Sequence, residues 1–294
     1  MIQNNNLSVL PFYTALDQQN HRQSYAYGET YALYSPSGYL LPFQIITTHS
    51  TSAFSVTDAI VYTLGGTQVA SIGQYLVDGG LQRVAFATDG YDIIIYPSFV
   101  PMGVGLPEGQ YYVRLRTSVG TWYSEVFTVI PYTTPFLKIE WWSDSDLVAD
   151  AWRIAYSFNG IQFKNRMYLC TELGKPDYEF EEEGEDRDGF FFPEKLVSEK
   201  TYRFTFLASE FLCDVMRFIR MADYIIITDK YGRTYQCDTF LMTPKWQTQG
   251  DLASVEVEFQ TDTVAKTIGR AAPPRGGLGD YNGDYNDDYD ITNN

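Results

Sequence analysis

Histidine and cysteine are scarce in this 294-residue chain, at 2 and 3 copies, and their scarcity narrows the chemistry before any motif is sought. His21 and His49 sit in no nucleophile motif, and there is no G-x-S-x-G, so a histidine-assisted hydrolase has nothing to anchor it. Cys170, Cys213 and Cys237 are odd in number and match no metal or redox spacing. They are expected as buried free thiols, which suits folding in a reducing cytoplasm. Basic charge is also short: Lys plus Arg is 21 against 37 for Asp plus Glu, a net of −16. That sign repels phosphate backbones and anionic lipid, so neither nucleic acid nor membrane is an expected partner. Basic surfaces and divalent cations suit it better. No apolar run approaches the ~20 residues that span a bilayer. Met1–Leu10 lacks the basic-then-apolar order of a signal peptide, so a soluble, non-exported chain is expected.

Aromatic residues, by contrast, are plentiful: 16% of the chain, with 24 Tyr and 19 Phe. They favour strands and supply large, stiff contact surfaces. Between Leu7 and Ile130, short strand-like runs alternate with Gly and Asp punctuation, among them Tyr39–Thr47, Ala59–Leu64, Gln68–Ile72, Gln82–Ala87 and Tyr91–Tyr96. Asp78-Gly79-Gly80 reads as a turn. Gln110–Thr117 and Trp122–Ile130, split by Val119-Gly120, resemble the closing hairpin of an immunoglobulin-like or fibronectin-type domain. Pro131 and Pro135 stiffen the connection that follows, which marks a linker over 131–135.

A second domain over 136–268 is expected to be mostly antiparallel β with one packed helix. Phe136–Trp142 opens it, and Asn159-Gly160 signals a hairpin between Trp152–Phe158 and Gln162–Leu169. Lys200–Met242 is its organising unit. Tyr202, Phe204 and Phe206 alternate with Arg203 and Thr205, and Ser209 is placed to N-cap a helix carrying Leu212, Val215, Met216 and Ile219 on one stripe. Tyr224–Thr228, a turn at Asp229–Gly232, and a returning strand complete it. Leu252–Thr261 alternates Ala253, Val255, Val257 and Phe259 with Ser254, Glu256, Glu258 and Gln260, the pattern of a sheet with one wet face. Residues 269–294 lose periodicity and repeat Gly-Asp-Tyr-Asn, which reads as a flexible acidic arm too poor in apolar surface to fold alone. The fold class is thus mainly β: an N-terminal immunoglobulin-like sandwich over 1–130, then the antiparallel β domain.

Nothing singles out a catalytic pair among the many carboxylates, and no catalytic residue or cofactor is expected. Asp177–Asp188 reads as a charged loop whose Glu181, Glu182 and Glu183 offer an acidic docking surface for a basic neighbour. Phe190, Phe191 and Phe192 follow at once and cannot all enter one core from a strand, which leaves apolar area for a partner. Trp141 and Trp142 face opposite sides of their strand, so one is core and the other is a candidate glycan contact. Asp280, Asn282 and Asp284 imitate the start of a calcium loop, but Tyr285 and Ile291 occupy the positions that need Gly and a carboxylate. Tyr281, Tyr285 and Tyr289 are better suited to lying across an adjacent subunit.

The segments Glu199–Phe206, Arg217–Tyr224 and Pro244–Asp251, with the acidic stretch and Gly189–Pro193 before them, resemble virion proteins of tailed bacteriophages, particularly phages of gut Bacteroidetes. The likeness covers about the last half of the chain. It implies a virion location after synthesis in the host cytoplasm, and a role as tail hub, neck or connector ring, or baseplate component. Homo-oligomers, other virion proteins as partners, and arms exchanged between neighbours go with it. A carbohydrate- or receptor-binding module is the alternative.

Overall fold

The structure is a computed structural model that describes residues 9–13, 33–48, 55–83, 90–96, 105–118, 120–131, 134–142, 164–187, 189–246 and 252–267. It is mainly β, with several largely antiparallel sheets and a single short α-helix among the described residues. Among the described residues, ten strands precede Pro131: β1 (Phe12–Tyr13), β2 (Tyr34–Pro36), β3 (Phe43–Thr48), β4 (Val56–Thr63), β5 (Gln68–Ser71), β6 (Val77–Arg83), β7 (Gly90–Tyr96), β8 (Gly109–Thr117), β9 (Gly120–Ser124) and β10 (Phe127–Ile130). After Pro135 come β11 (Leu137–Trp142), β12 (Asn165–Leu169), β13 (Asp177–Arg187), β14 (Phe190–Ser209), helix α1 (Glu210–Met216), β15 (Tyr224–Thr228), β16 (Thr234–Gln236), β17 (Thr239–Trp246) and β18 (Leu252–Thr267).

A seven-stranded sheet centres on β8, which pairs β4 on one edge and β9 and β10 on the other. Ala59 and Val61 of β4 enter the main core, while Ile60 and Tyr62 join Tyr112 in a small cluster on the opposite face. Both faces are covered, so this strand reads as a continuous apolar run and not as an alternating one. The alternation in the sequence predicts one strand over Trp122–Ile130, but the chain breaks it at Glu125-Val126. Tyr123 opposes Arg114 whereas Phe127 opposes Tyr111, so one residue is in excess and the strand bulges. Side chains repair the interrupted ladder: the Val113 N–H donates to Ser124 Oγ at 2.8 Å, and the Val126 N–H to Glu125 Oε1 at 3.0 Å. A three-stranded sheet, β3-β7-β6, completes this half. Asp78-Gly79-Gly80 is not the expected turn there: β6 runs through it with a register shift against β7, which an extra residue at Gly79 accounts for.

Beyond Pro135, β12-β11-β15-β16 and β13-β14-β18-β17 form two four-stranded sheets. Residues 143–163, including the Asn159-Gly160 hairpin, lie outside the described residues. On β18 the alternation holds as read, with Ala253, Val255, Val257 and Phe259 fully buried. Helix α1 adds Leu212, Val215 and Met216 to the same buried core. Ser209 occupies the N-cap position with extended backbone angles, but its hydroxyl makes no capping bond. The turn after β15 closes as expected: Gly232 takes φ of +78°, which an L side chain rarely adopts, and its N–H donates to Asp229 O at 2.9 Å.

Among the described residues no strand ladder joins the two sides of Pro131–Pro135, yet one apolar cluster runs from Val9 through Leu41 and Val129 to Leu137, Tyr168 and Phe259. Tyr34 of β2 also hydrogen-bonds Cys170 beyond β12. Cys170 therefore departs from the buried-thiol expectation, since it is exposed, while Cys213 is buried and Cys237 half-buried. Phe259 is the hub of the later core, with its ring 5.5 Å from that of Tyr202 and 6.4 Å from that of Phe204. Phe259→Ala is expected to cost about 3–5 kcal/mol in a guanidinium titration followed by tryptophan fluorescence. A drop of under about 1 kcal/mol would show that this cluster does not carry the fold.

Candidate interaction surfaces

Strand β14 is 20 residues long, roughly 65 Å at the usual rise, which is more than one core can cover. Its second half, from Thr201, is packed: Thr201, Tyr202, Phe204 and Ala208 are buried. Its first half is not. Among the described residues from Asp177 to Lys200, and again from Asp262 to Thr267, no side chain is buried. These stretches are paired with one another, β13 to β14 and β14 to β18, so they form a three-stranded arm with no core of its own.

Register assigns the faces of this arm. Tyr178, Phe180 and Glu182 oppose Lys200, Ser198 and Leu196, and the latter two oppose Val264 and Lys266. Nearer the tip, Asp186 opposes Phe191. Cross-strand partners share a face and faces alternate along a strand. One face of the arm thus carries Tyr178, Phe180, Phe191, Leu196 and Val264. Phe180 is 74% exposed and Val264 63%. Lys200 is two residues from Tyr202, so this is the same sheet face that is buried farther along β14. The opposite face holds Glu179, Glu181, Glu183, Glu185 and Glu199, with Lys195 3.3 Å from Glu183 as local relief. A shift between Ser198 and Lys200 marks where the arm leaves the body. Its extra residue lies on β18, beside Asp262 at φ of +57°. Such bulges sharpen the local twist and bend the strand.

The acidic stretch expected as a loop is therefore a strand. Glutamate is a poor strand former and masks the Tyr178-Glu179-Phe180-Glu181 alternation, which β14 stabilises from the side. Glu181, Glu182, Glu183, Phe190 and Phe191 are brought together on this arm, all exposed, but not as one patch: Glu182 lies on the apolar face and Glu181 and Glu183 on the other. Phe190 is 55% exposed. The side chain of Phe192, and Tyr281, Tyr285 and Tyr289, lie outside the described residues, as do His21 and His49. Sequence reasoning passed over Tyr178, Phe180, Leu196 and Val264, although the first two stand in plain alternation.

Trp141 is the core member of its pair, 4% exposed, and is out of reach of a glycan. Trp142 is half-buried; its ring stacks on that of Tyr224 at 5.1 Å and carries Lys164 Nζ 4.0 Å from its centre.

A cavity of about 690 Å³ lies where the two halves meet, lined by Tyr39, Phe136, Lys138, Arg166, Tyr168 and the Asp229–Gly232 turn. Its charges are matched locally. Glu140 accepts from Lys138 Nζ at 2.6 Å and from Arg166 Nε at 2.7 Å. Burial pushes its carboxyl up, but those two cations outweigh it and hold it below the ordinary value. Burial pushes the Tyr168 phenol up to about 12. Burial likewise takes the thiols of Cys213 and Cys237 to about 11 and about 12, so neither is a nucleophile at neutral pH. Among the described residues, no three His, Cys, Asp or Glu side chains converge as a metal set. Neither protein-family models nor curated proteins give a match to this chain.

Asp229 braces the cavity wall. Its carboxylate accepts the N–H groups of Tyr231 and Arg233 at 2.9 Å each and Arg233 Nε at 2.7 Å. Burial raises its pKa, but the Arg233 and Tyr231 bonds outweigh burial and hold it below the ordinary value. A depressed carboxyl stabilises the fold above its unfolded pKa of about 3.9 and loses that stability as pH falls through the folded value. Asp229→Asn is accordingly expected to cost about 1–3 kcal/mol at pH 7, with the gap to the parent narrowing below about pH 4 in pH-stepped urea titrations. A gap independent of pH would refute the charge as its source.

Proposed function

We propose that the chain is a non-enzymatic structural subunit of a tailed-phage virion, in a tail hub, neck or connector ring, or baseplate. It acts through subunit contacts and an exchanged C-terminal arm. The observation that carries this reading is the arm of β13, β14 and β18, which has apolar side chains on one face and, among the described residues, nothing packed over them. A three-stranded sheet without a covered face is marginal in water, and exposed apolar patches of this kind mark contact sites. The phage assignment rests on the sequence resemblance in the second half of the chain. An immunoglobulin-like sandwich before Pro131 belongs to the same reading, supported by the separation of the described strands there into two sheets.

A carbohydrate- or receptor-binding module is the second reading. The stacked Trp142–Tyr224 pair favours it, with Tyr224 37% exposed. The two part on a glycan array: saturable binding that is lost in Trp142→Ala would favour the module. For the structural subunit, light scattering of the purified chain should show association, or co-purification should recover other virion proteins. Deleting residues 276–294 should weaken that association while leaving the circular dichroism melt unchanged. A chain that stays monomeric, captures no virion protein and is indifferent to the deletion would exclude this role.

A further inference from the structure

The apolar face of the arm carries its charges in an order that selects a partner. At the level of Leu196, in the central strand, Glu182 stands on the β13 side and Lys266 on the β18 side. One level towards the body, Phe180 and Val264 flank Ser198 in the same way. At the Leu196 level the face is thus acidic on one lateral edge, basic on the other, and apolar between. The opposite face, with Glu179, Glu181, Glu183, Glu185 and Glu199, is where a basic foreign surface would settle.

We infer that the apolar face packs against the same face of a second copy of this chain, about a two-fold axis parallel to the strands. Rotation about that axis exchanges the lateral edges and keeps each level of the arm in place. The contact ends at the bulge beside Asp262, where each strand must bend to carry its packed body away from the axis. β13 then lies over β18 of the partner, so Glu182 meets the partner's Lys266, Phe180 meets the partner's Val264, and Leu196 meets its own copy. A two-fold contact of this kind is self-complementary, as isologous interfaces require. Two sheets stacked about 10 Å apart leave room for such side chains to interdigitate. A two-fold perpendicular to the strands at that level would instead lay Glu182 on Glu182, and like charges there are costly. The face is three strands wide only from Lys200 to Lys195, roughly 20 Å by 14 Å from strand rise and spacing, and two strands wide towards the tip. It is below the usual size of a tight interface, so the pairing is reversible with protein concentration.

This inference rests on the structural-subunit reading, and charge reversal tests it separately. Sedimentation equilibrium of the full chain should show a monomer–dimer equilibrium. Glu182→Lys alone and Lys266→Glu alone should each raise its dissociation constant about 10-fold or more, the equivalent of ~1.4 kcal/mol. Mixing the two single variants should restore association to within about threefold of the parent, because each mixed pair then sets Lys against Glu at both contacts. Repair by mixing cannot arise inside one chain, so it separates this contact from a pairing within one copy's sheet. Phe180→Asp should abolish the dimer and leave the circular dichroism melt of the body intact. A parent chain that remains monomeric, a dimer that survives Phe180→Asp, or single variants that fail to recover on mixing would each overturn the inference. If Phe180→Asp instead removes a different virion protein from a monomeric chain, the face belongs to that partner. The two-copy contact is then wrong while the structural role stands.

Discussion

The ladder between β14 and β18 holds the molecule's two regimes together. From Ser209↔Leu252 to Lys200↔Thr261 its inner face is buried: Tyr235 packs on Tyr202 and Phe259, Phe240 of β17 continues the face beside Phe259, and the pairs Phe206↔Val255, Phe204↔Val257 and Tyr202↔Phe259 line the core. From Ser198↔Val264 to Lys195↔Thr267 the same two strands continue with solvent on both sides. Backbone hydrogen bonds alone contribute little net stability in water, so the outer stretch depends on being an extension of the buried one. The arm is held at its root, and none of the described residues covers it along its length. That asymmetry makes it an extension of the packed sheet and not a second small domain.

Charge is distributed to match. The outer face of the packed stretch is tied by ion pairs across strands, Arg203 to Asp177 and Glu258, and Lys245 to Glu256. Exposed pairs of this sort are worth little individually. Their effect is to keep that face wet and balanced, whereas past Lys200 the balance is lost and acid dominates one side. The junction cavity follows the opposite rule. Half-buried Glu140 is matched by two cations and buried Asp229 by Arg233 and backbone donors, because an unmatched charge there would be expensive.

Much of this was legible in the sequence. The alternation of β18 and the inner half of β14 named their core residues correctly, and the Asp229–Gly232 turn declared itself through its glycine. What stayed hidden was tertiary. The Glu125 bulge exists because Ser124 reaches back to the Val113 N–H, a bond no local pattern announces. The strand character of β13 was masked by glutamates whose poor propensity is overridden by a neighbouring strand. Above all, alternation says which residues share a face and not whether anything covers it. Tyr178-Glu179-Phe180 and Val255-Glu256-Val257 look alike as text; one set lies in solvent and the other in the core.

Strand β13 is the outermost strand of its sheet, with a row of backbone groups facing outwards over its length. Left bare, such a border would invite further strands and grow into an unending ribbon, a hazard for any protein made in many copies at one place. The glutamates along β13 make each border repel its equal. Edge-to-edge growth between copies is thereby discouraged.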